Sequence, residues 1–320
     1  MRTKIVYALT SSPEDFYTEQ AYMSMYSVKL YNPECHIILV TDEQTFYTLV
    51  GNRARIKEFI DEFVLIRVPE ALTRKAASRY IKTLIRQNIE GDYLYIDSDT
   101  IIIASLEELD EFTCDIGAVL DYHENLHERN NIQLTRFLRD THKDIDIEKY
   151  KNYFNGGVFY VRDSLVARKF YETWHAIWMS DFKEYGISID QAAIFQANIA
   201  LGNVITELDG SYNCQILTHK ASKYLLRSKI CHYFVSVDFP FPLNNKELLK
   251  KVRIDGLTNE IIHIIKYPRE VFLEETRLIG DVEYAFLTQP MAVLGRKIGT
   301  LCNWTNKLAL AILKLFKLEC

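Results

Sequence analysis

The chain has 320 residues, 48% hydrophobic and 25% charged, with only 12 Gly and 7 Pro, which excludes disorder, collagen-like repeats and low-complexity sequence. A formal net charge of −5 leaves no basic excess to neutralise a phosphate backbone, so no nucleic-acid partner is expected. The six cysteines are scattered, without a C-x-x-C pair; that argues against a structural zinc site or disulfide framework and for free thiols in a reducing cytoplasm.

Short apolar runs alternate with helix-length amphipathic segments through the first two-thirds. Residues 4–9 (KIVYAL) read as a strand, and the run is too short for a signal h-region. A helix is expected over 15–30, strands over 36–40 and 63–68, a helix over 76–88, and a buried strand over 92–96 (DYLYI). Strands alternating with helices predict a parallel sheet covered on both faces. Further strands are expected over 115–120, 156–161, 204–208, 215–218 and 229–234, with helices over 164–182 and 190–200. The charged stretch 121–151 is too long for a tight turn, and loops of that length are usually functional or disordered. No run reaches the roughly 20 apolar residues that span a bilayer.

The sharpest feature is Tyr93-Leu94-Tyr95-Ile96-Asp97-Ser98-Asp99-Thr100. Residues i and i+2 of an extended chain project to one side, so Asp97 and Asp99 can converge. Two such charges need a cation between them, or one takes up a proton. Hard divalent cations suit carboxylate oxygens, and open α/β sheets bind ligands at the carboxyl ends of their strands. The bland alternative is an acidic turn. An aspartate-nucleophile phosphatase is a poor fit, because Thr100 follows Asp99 directly and the motif lies far from the N-terminus.

With these landmarks the sequence resembles the GT-A-fold glycosyltransferases, most closely glycosyltransferase family 8. Ser78-Arg79-Tyr80, the D-x-D, Phe154-Asn155-Gly156-Gly157-Val158, Asp190-Gln191, Tyr212-Asn213 and Cys231-His232 follow in that family's order over residues 3–235. The resemblance implies a Rossmann-like mixed sheet flanked by helices. It also implies a nucleotide-sugar donor, expected to be a UDP-sugar, with retention of anomeric configuration by front-face attack through an oxocarbenium-like state. Asp97, Asp99 and His232 would hold Mn2+, with Mg2+ as the alternative; an imidazole ligand favours the transition ion. Tyr7, Ala8, Leu9 and Thr10 would frame base and ribose, and Asp97 and Ser98 would touch the donor. Arg79 would pair with a carboxylate or phosphate through its planar fork. Asn155, Gly156, Gly157, Asp190 and Gln191 would line the sugar pocket, with Asp190 and Gln191 nearest the chemistry and the glycines admitting the sugar close to the backbone. The family's Lys after the metal His is missing here, which leaves phosphate neutralisation to the metal, Arg79 or Lys229. The 121–151 stretch would cover the donor or shape the acceptor site.

Each of these residues has a plainer reading. His232 reads equally as a core histidine, Asp190 as a helix N-cap, the glycines as a strand-entry kink and Arg79 as a surface charge. Trp174 and Trp178, four apart on one helix, read as core.

The expected division is a GT-A domain over 1–270 and a basic amphipathic helical extension over 271–320. From 290 to 318 there are five cations and no acid, a pattern suited either to an anionic membrane surface or to docking on the chain's own domain. The resulting expectation is a cytoplasmic glycosyltransferase, peripheral on the inner membrane face. It would transfer sugar to a glycan or lipid-linked acceptor in bacterial surface polysaccharide or lipopolysaccharide synthesis. A non-catalytic nucleotide-sugar-binding scaffold of the same fold is the alternative. A nucleotidyltransferase fits less well, because its phosphate-holding loop would be basic, whereas the loop after the first strand (SSPEDFYTE) is acidic.

Overall fold

The computed structural model describes residues 1–126, 145–216, 219–233, 243 and 245–268. The expected extension over 271–320 and most of the 121–151 stretch lie outside them.

A seven-stranded sheet organises the domain. Its strands are β1 (Lys4–Leu9), β2 (Ile37–Thr41), β3 (Glu62–Leu65), β4 (Tyr93–Ile96), β6 (Ile116–Leu120), β7 (Phe154–Val161) and β8 (Ile205–Glu207), in the order β3-β2-β1-β4-β7-β6-β8. A second, three-stranded sheet pairs β5 (Thr100–Ile102), β10 (Ile230–His232) and β9 (Cys214–Gln215) in the order β5-β10-β9.

The sheet is mixed, as the family resemblance implies, whereas strand–helix alternation alone predicts a parallel one. The β3-β2-β1-β4 half is parallel, but β7 runs antiparallel to both β4 and β6. Parallel neighbours need a crossover to the opposite end of the sheet. Here Leu120 pairs with Phe154, and Asp121 N–H donates to Tyr153 O at 2.8 Å. The end of β6 and the start of β7 therefore lie at the same end of the sheet.

Both sheet faces are covered, which is why β1, β2 and β4 read as nearly unbroken apolar runs. In β4, Tyr93 and Tyr95 point into one core, and Leu94 and Ile96 into the other. The first core contains α3 (Arg74–Thr83), α4 (Ile85–Asn88) and α5 (Leu165–Tyr185), with Trp174 and Trp178 fully buried on α5 as expected. The second is closed by α1 (Tyr17–Tyr31), by the small sheet and by two later helices, Lys246–Asp255 and Asn259–Lys266; the short α2 (Glu43–Thr48) follows β2. The single helix expected over 76–88 is two, α3 and α4, meeting at Leu84. Among the described residues no helix is long and apolar enough to cross a membrane, and Cys35, Cys114, Cys214 and Cys231 form no disulfide.

Candidate active site

The carboxyl end of β4 opens into a cavity of about 540 Å³, within the range of ligand sites. Asp97 directly follows β4, and its N–H donates to Gly157 O on β7 at 2.7 Å. Asp99 precedes β5. Pairing of β5 with β10 sets His232 opposite Thr100, which brings a residue 133 positions away beside the acidic pair. His232 Nε2 lies 3.2 Å from Asp99 Oδ1. One ligating atom from each of Asp97, Asp99 and His232 falls within 4.8 Å of the others. Cation–ligand distances of roughly 2.0–2.6 Å span such a gap, and two carboxylates with one imidazole form a donor set that fits a divalent ion.

Helix α3 forms the facing wall. Thr73 caps it by accepting from Ala76 N–H. Ala76 and Ile81 turn into the core, while Lys75, Ser78, Arg79 and Lys82, at i, i+3, i+4 and i+7, line the cavity. Lys82 Nζ lies 3.4 Å from Asp97 Oδ1 and 3.5 Å from Asp190 Oδ2, over the Tyr95 ring at 4.8 Å. Arg79 Nε is 3.5 Å from Asp190 Oδ1. Burial pushes the Asp190 carboxyl up, but Lys82 and Arg79 more than offset it and hold the group below its ordinary range. Burial likewise pulls the Arg79 guanidinium down, and Asp190 and Asp97 bring it above its usual value. Tyr95 donates to Asp97 Oδ1; burial first, then the Asp97 charge, raises its phenol well above normal.

Ala8, Leu9, Thr10, Arg79, Asp97, Ser98, Asp99, Asn155, Gly156, Gly157, Asp190, Gln191 and His232 all line this one cavity. Tyr7 does not. Its ring is in the core and its hydroxyl lies 2.8 Å from Ser24 Oγ. Lys229, weighed as a phosphate partner, also lies elsewhere, paired with Glu108 and 5.3 Å from the Tyr212 ring. The N-cap reading of Asp190 fails, because its side chain makes no cap hydrogen bond to α6 (Gln191–Ala200). Gly157 makes room for a side chain: a Cβ there would meet the His232 ring.

Sequence reasoning misses Lys82, together with Asp15, Tyr17, Arg74, Lys75 and Ser78, which also line the cavity. The available signal for Lys82 was its place one turn after Arg79 on the same helix.

The family described as Glycosyl transferase family 8 matches residues 75–236, half of the chain. No curated protein sequence matches the chain. Among solved structures, the galactosyltransferase LgtC, in complex with donor and acceptor sugar analogs, superposes with a TM-score of 0.50 at 15% identity, covering 85% of this chain and 94% of that one. The apo bifunctional glycosyltransferase WbbM gives 0.51 at 17%, covering 83% of this chain and 51% of WbbM. The glycosyltransferase GlyE of Streptococcus pneumoniae TIGR4 gives 0.50 at 16%, covering 84% and 65%. This chain thus spans about half of WbbM and under two-thirds of GlyE, and at these identities the likeness is one of fold.

Proposed function

The chain belongs to glycosyl transferase family 8 and is a glycosyltransferase of GT-A fold, and we propose that it transfers a hexose from a UDP-sugar, with Mn2+, to a hydroxyl of a glycan or lipid-linked acceptor. The observation that carries this reading is the convergence of Asp97, Asp99 and His232 at one end of a cavity whose other wall is Arg79, Lys82 and Asp190. LgtC, of the same fold, was solved with donor and acceptor sugar analogs, which supports a site shared by both substrates.

Asp97, Asp99 and His232 would hold the cation, and a divalent ion there supplies charge to stabilise a departing diphosphate. Arg79 and Lys82 add fixed positive charge beside the same space, where preorganised charge is worth most. They take the part weighed for Lys229. Asp190, kept ionised by Lys82 and Arg79, accepts hydrogen bonds from sugar hydroxyls. Gln191, at the start of α6, faces the anomeric carbon, and attack proceeds with retention. Ala8, Leu9 and Thr10 frame the nucleoside. We place the enzyme on the cytoplasmic membrane face in surface-polysaccharide or lipopolysaccharide synthesis, with a GT-A domain over 1–270 and the basic tail over 271–320 as its membrane contact. The scaffold reading is disfavoured by the complete Asp–Asp–His set.

The test is turnover. Purified protein with Mn2+ is offered UDP-, GDP-, CDP- and dTDP-sugars, and nucleoside diphosphate release is measured with and without lipid-linked glycan acceptors. Release from a UDP-sugar above blank supports the reading; release from none, or from another nucleotide's sugars alone, overturns the donor assignment.

A further inference from the structure

Behind the candidate cation site runs a buried chain of hydrogen bonds whose directions can be read from one end to the other. Asn155 Nδ2 donates to Asp121 Oδ1 at 2.8 Å. That fixes the Asn155 amide, because Oδ1 must then face the other way, where it accepts from Gly157 N–H at 2.9 Å. The same oxygen accepts from Asn213 Nδ2 at 2.9 Å, which turns Asn213 Oδ1 toward His232 Nδ1 at 3.0 Å. An amide oxygen only accepts, so His232 Nδ1 carries the hydrogen. The neutral imidazole then presents Nε2 as a lone pair, and that atom lies 3.2 Å from Asp99 Oδ1. Two acceptors at that distance need a cation or a proton between them. Asp121, Asn155, Asn213 and His232 are all at most 3% exposed, so water does not compete for these bonds.

We propose that Asn213 is a positioning residue that locks His232 in its Nδ1–H tautomer and so aims a metal-binding lone pair at Asp99, with Asp121 as the anchor that orients the relay. Asn155, which borders the cavity, is an intermediate of this relay through both ends of its amide. The inference rests on the cation reading given above, and it explains why asparagine serves at 213: the position needs a donor on one side and an acceptor on the other.

Two measurements test it. In apo protein, 15N–1H correlation NMR, with His232 assigned through His232→Gln, shows directly which ring nitrogen carries the hydrogen. The expected state is Nδ1–H in the wild type, shifting toward Nε2–H in Asn213→Leu; a wild-type Nε2–H state overturns the relay. Mn2+ calorimetry on the same proteins is expected to show an affinity loss of about 10–100-fold in folded Asn213→Leu. Unchanged affinity and an unchanged tautomer in that variant overturn the proposal. Wild-type protein that binds no Mn2+ overturns the cation reading, and the NMR result still decides the relay.

Discussion

A Cβ built on Gly157 would run into Cε1 of the His232 imidazole and stand 2.9 Å from its Nδ1. The ring occupies the space that any other residue at 157 would need, and it is held there by Asn213. Gly157→Ala is therefore expected to displace His232 and lower Mn2+ affinity by about 10–100-fold. Gly156→Ala meets Ile194 Cδ1 at 3.1 Å and Lys82 Nζ at 3.5 Å, milder contacts remote from the imidazole, and should leave the metal affinity near wild type. Calorimetry on both variants checks the contrast; equal affinities would remove the steric account of Gly157.

Lys82 bridges Asp97, beside Asp99 and His232, to Asp190 on the facing side of the cavity. Lys82→Met keeps the length and apolar stem but removes the charge from two carboxylates at once. Hydrogen bonds to charged groups contribute about 1.5–3 kcal/mol, so donor kcat/KM should fall about 10–100-fold. Steady-state kinetics against donor concentration tests this, and unchanged kinetics would return Lys82 to a packing role.

Tyr7→Phe separates core from site. It deletes the hydroxyl paired with Ser24, a loss of about 1 kcal/mol, without touching the cavity lining. Thermal unfolding should show a lower Tm while donor KM stays at the wild-type value. A raised KM would put Tyr7 back at the nucleoside end.

Asp42 shows a pH dependence with a definite sign. Burial pushes its carboxyl up, but hydrogen bonds from Arg74 and Thr45 leave it below its ordinary value. A depressed carboxyl stabilises the fold above its unfolded pKa, about 3.9, and that stability is lost as pH falls through the folded value. The wild-type advantage over Asp42→Asn should therefore be full at pH 6 and shrink below about pH 4, as measured by denaturant midpoints. A gap that widened on acidification would contradict the assignment.

The cavity was legible where chemistry and position coincide in sequence. Asp97 and Asp99 sit two apart after a buried strand, a spacing that carries its own geometry. Arg79, Asp190 and Gln191 rested on their order along the chain rather than on physics. Lys82 was hidden because Ala76, Ala77 and Ile81 leave the core-facing side of α3 ambiguous until the sheet beneath it is known. The small sheet has strands of two or three residues, too short for a periodicity, yet its register delivers His232 to Asp99. The direction of β7 was equally invisible, because apolar alternation does not distinguish parallel from antiparallel neighbours.

The most direct test of the cation–diphosphate site is calorimetric titration of UDP with and without Mn2+, on wild type and Asp99→Asn. The account predicts Mn2+-dependent UDP binding in the wild type that is lost in the variant. UDP binding that is absent, or indifferent to both Mn2+ and the substitution, would contradict it.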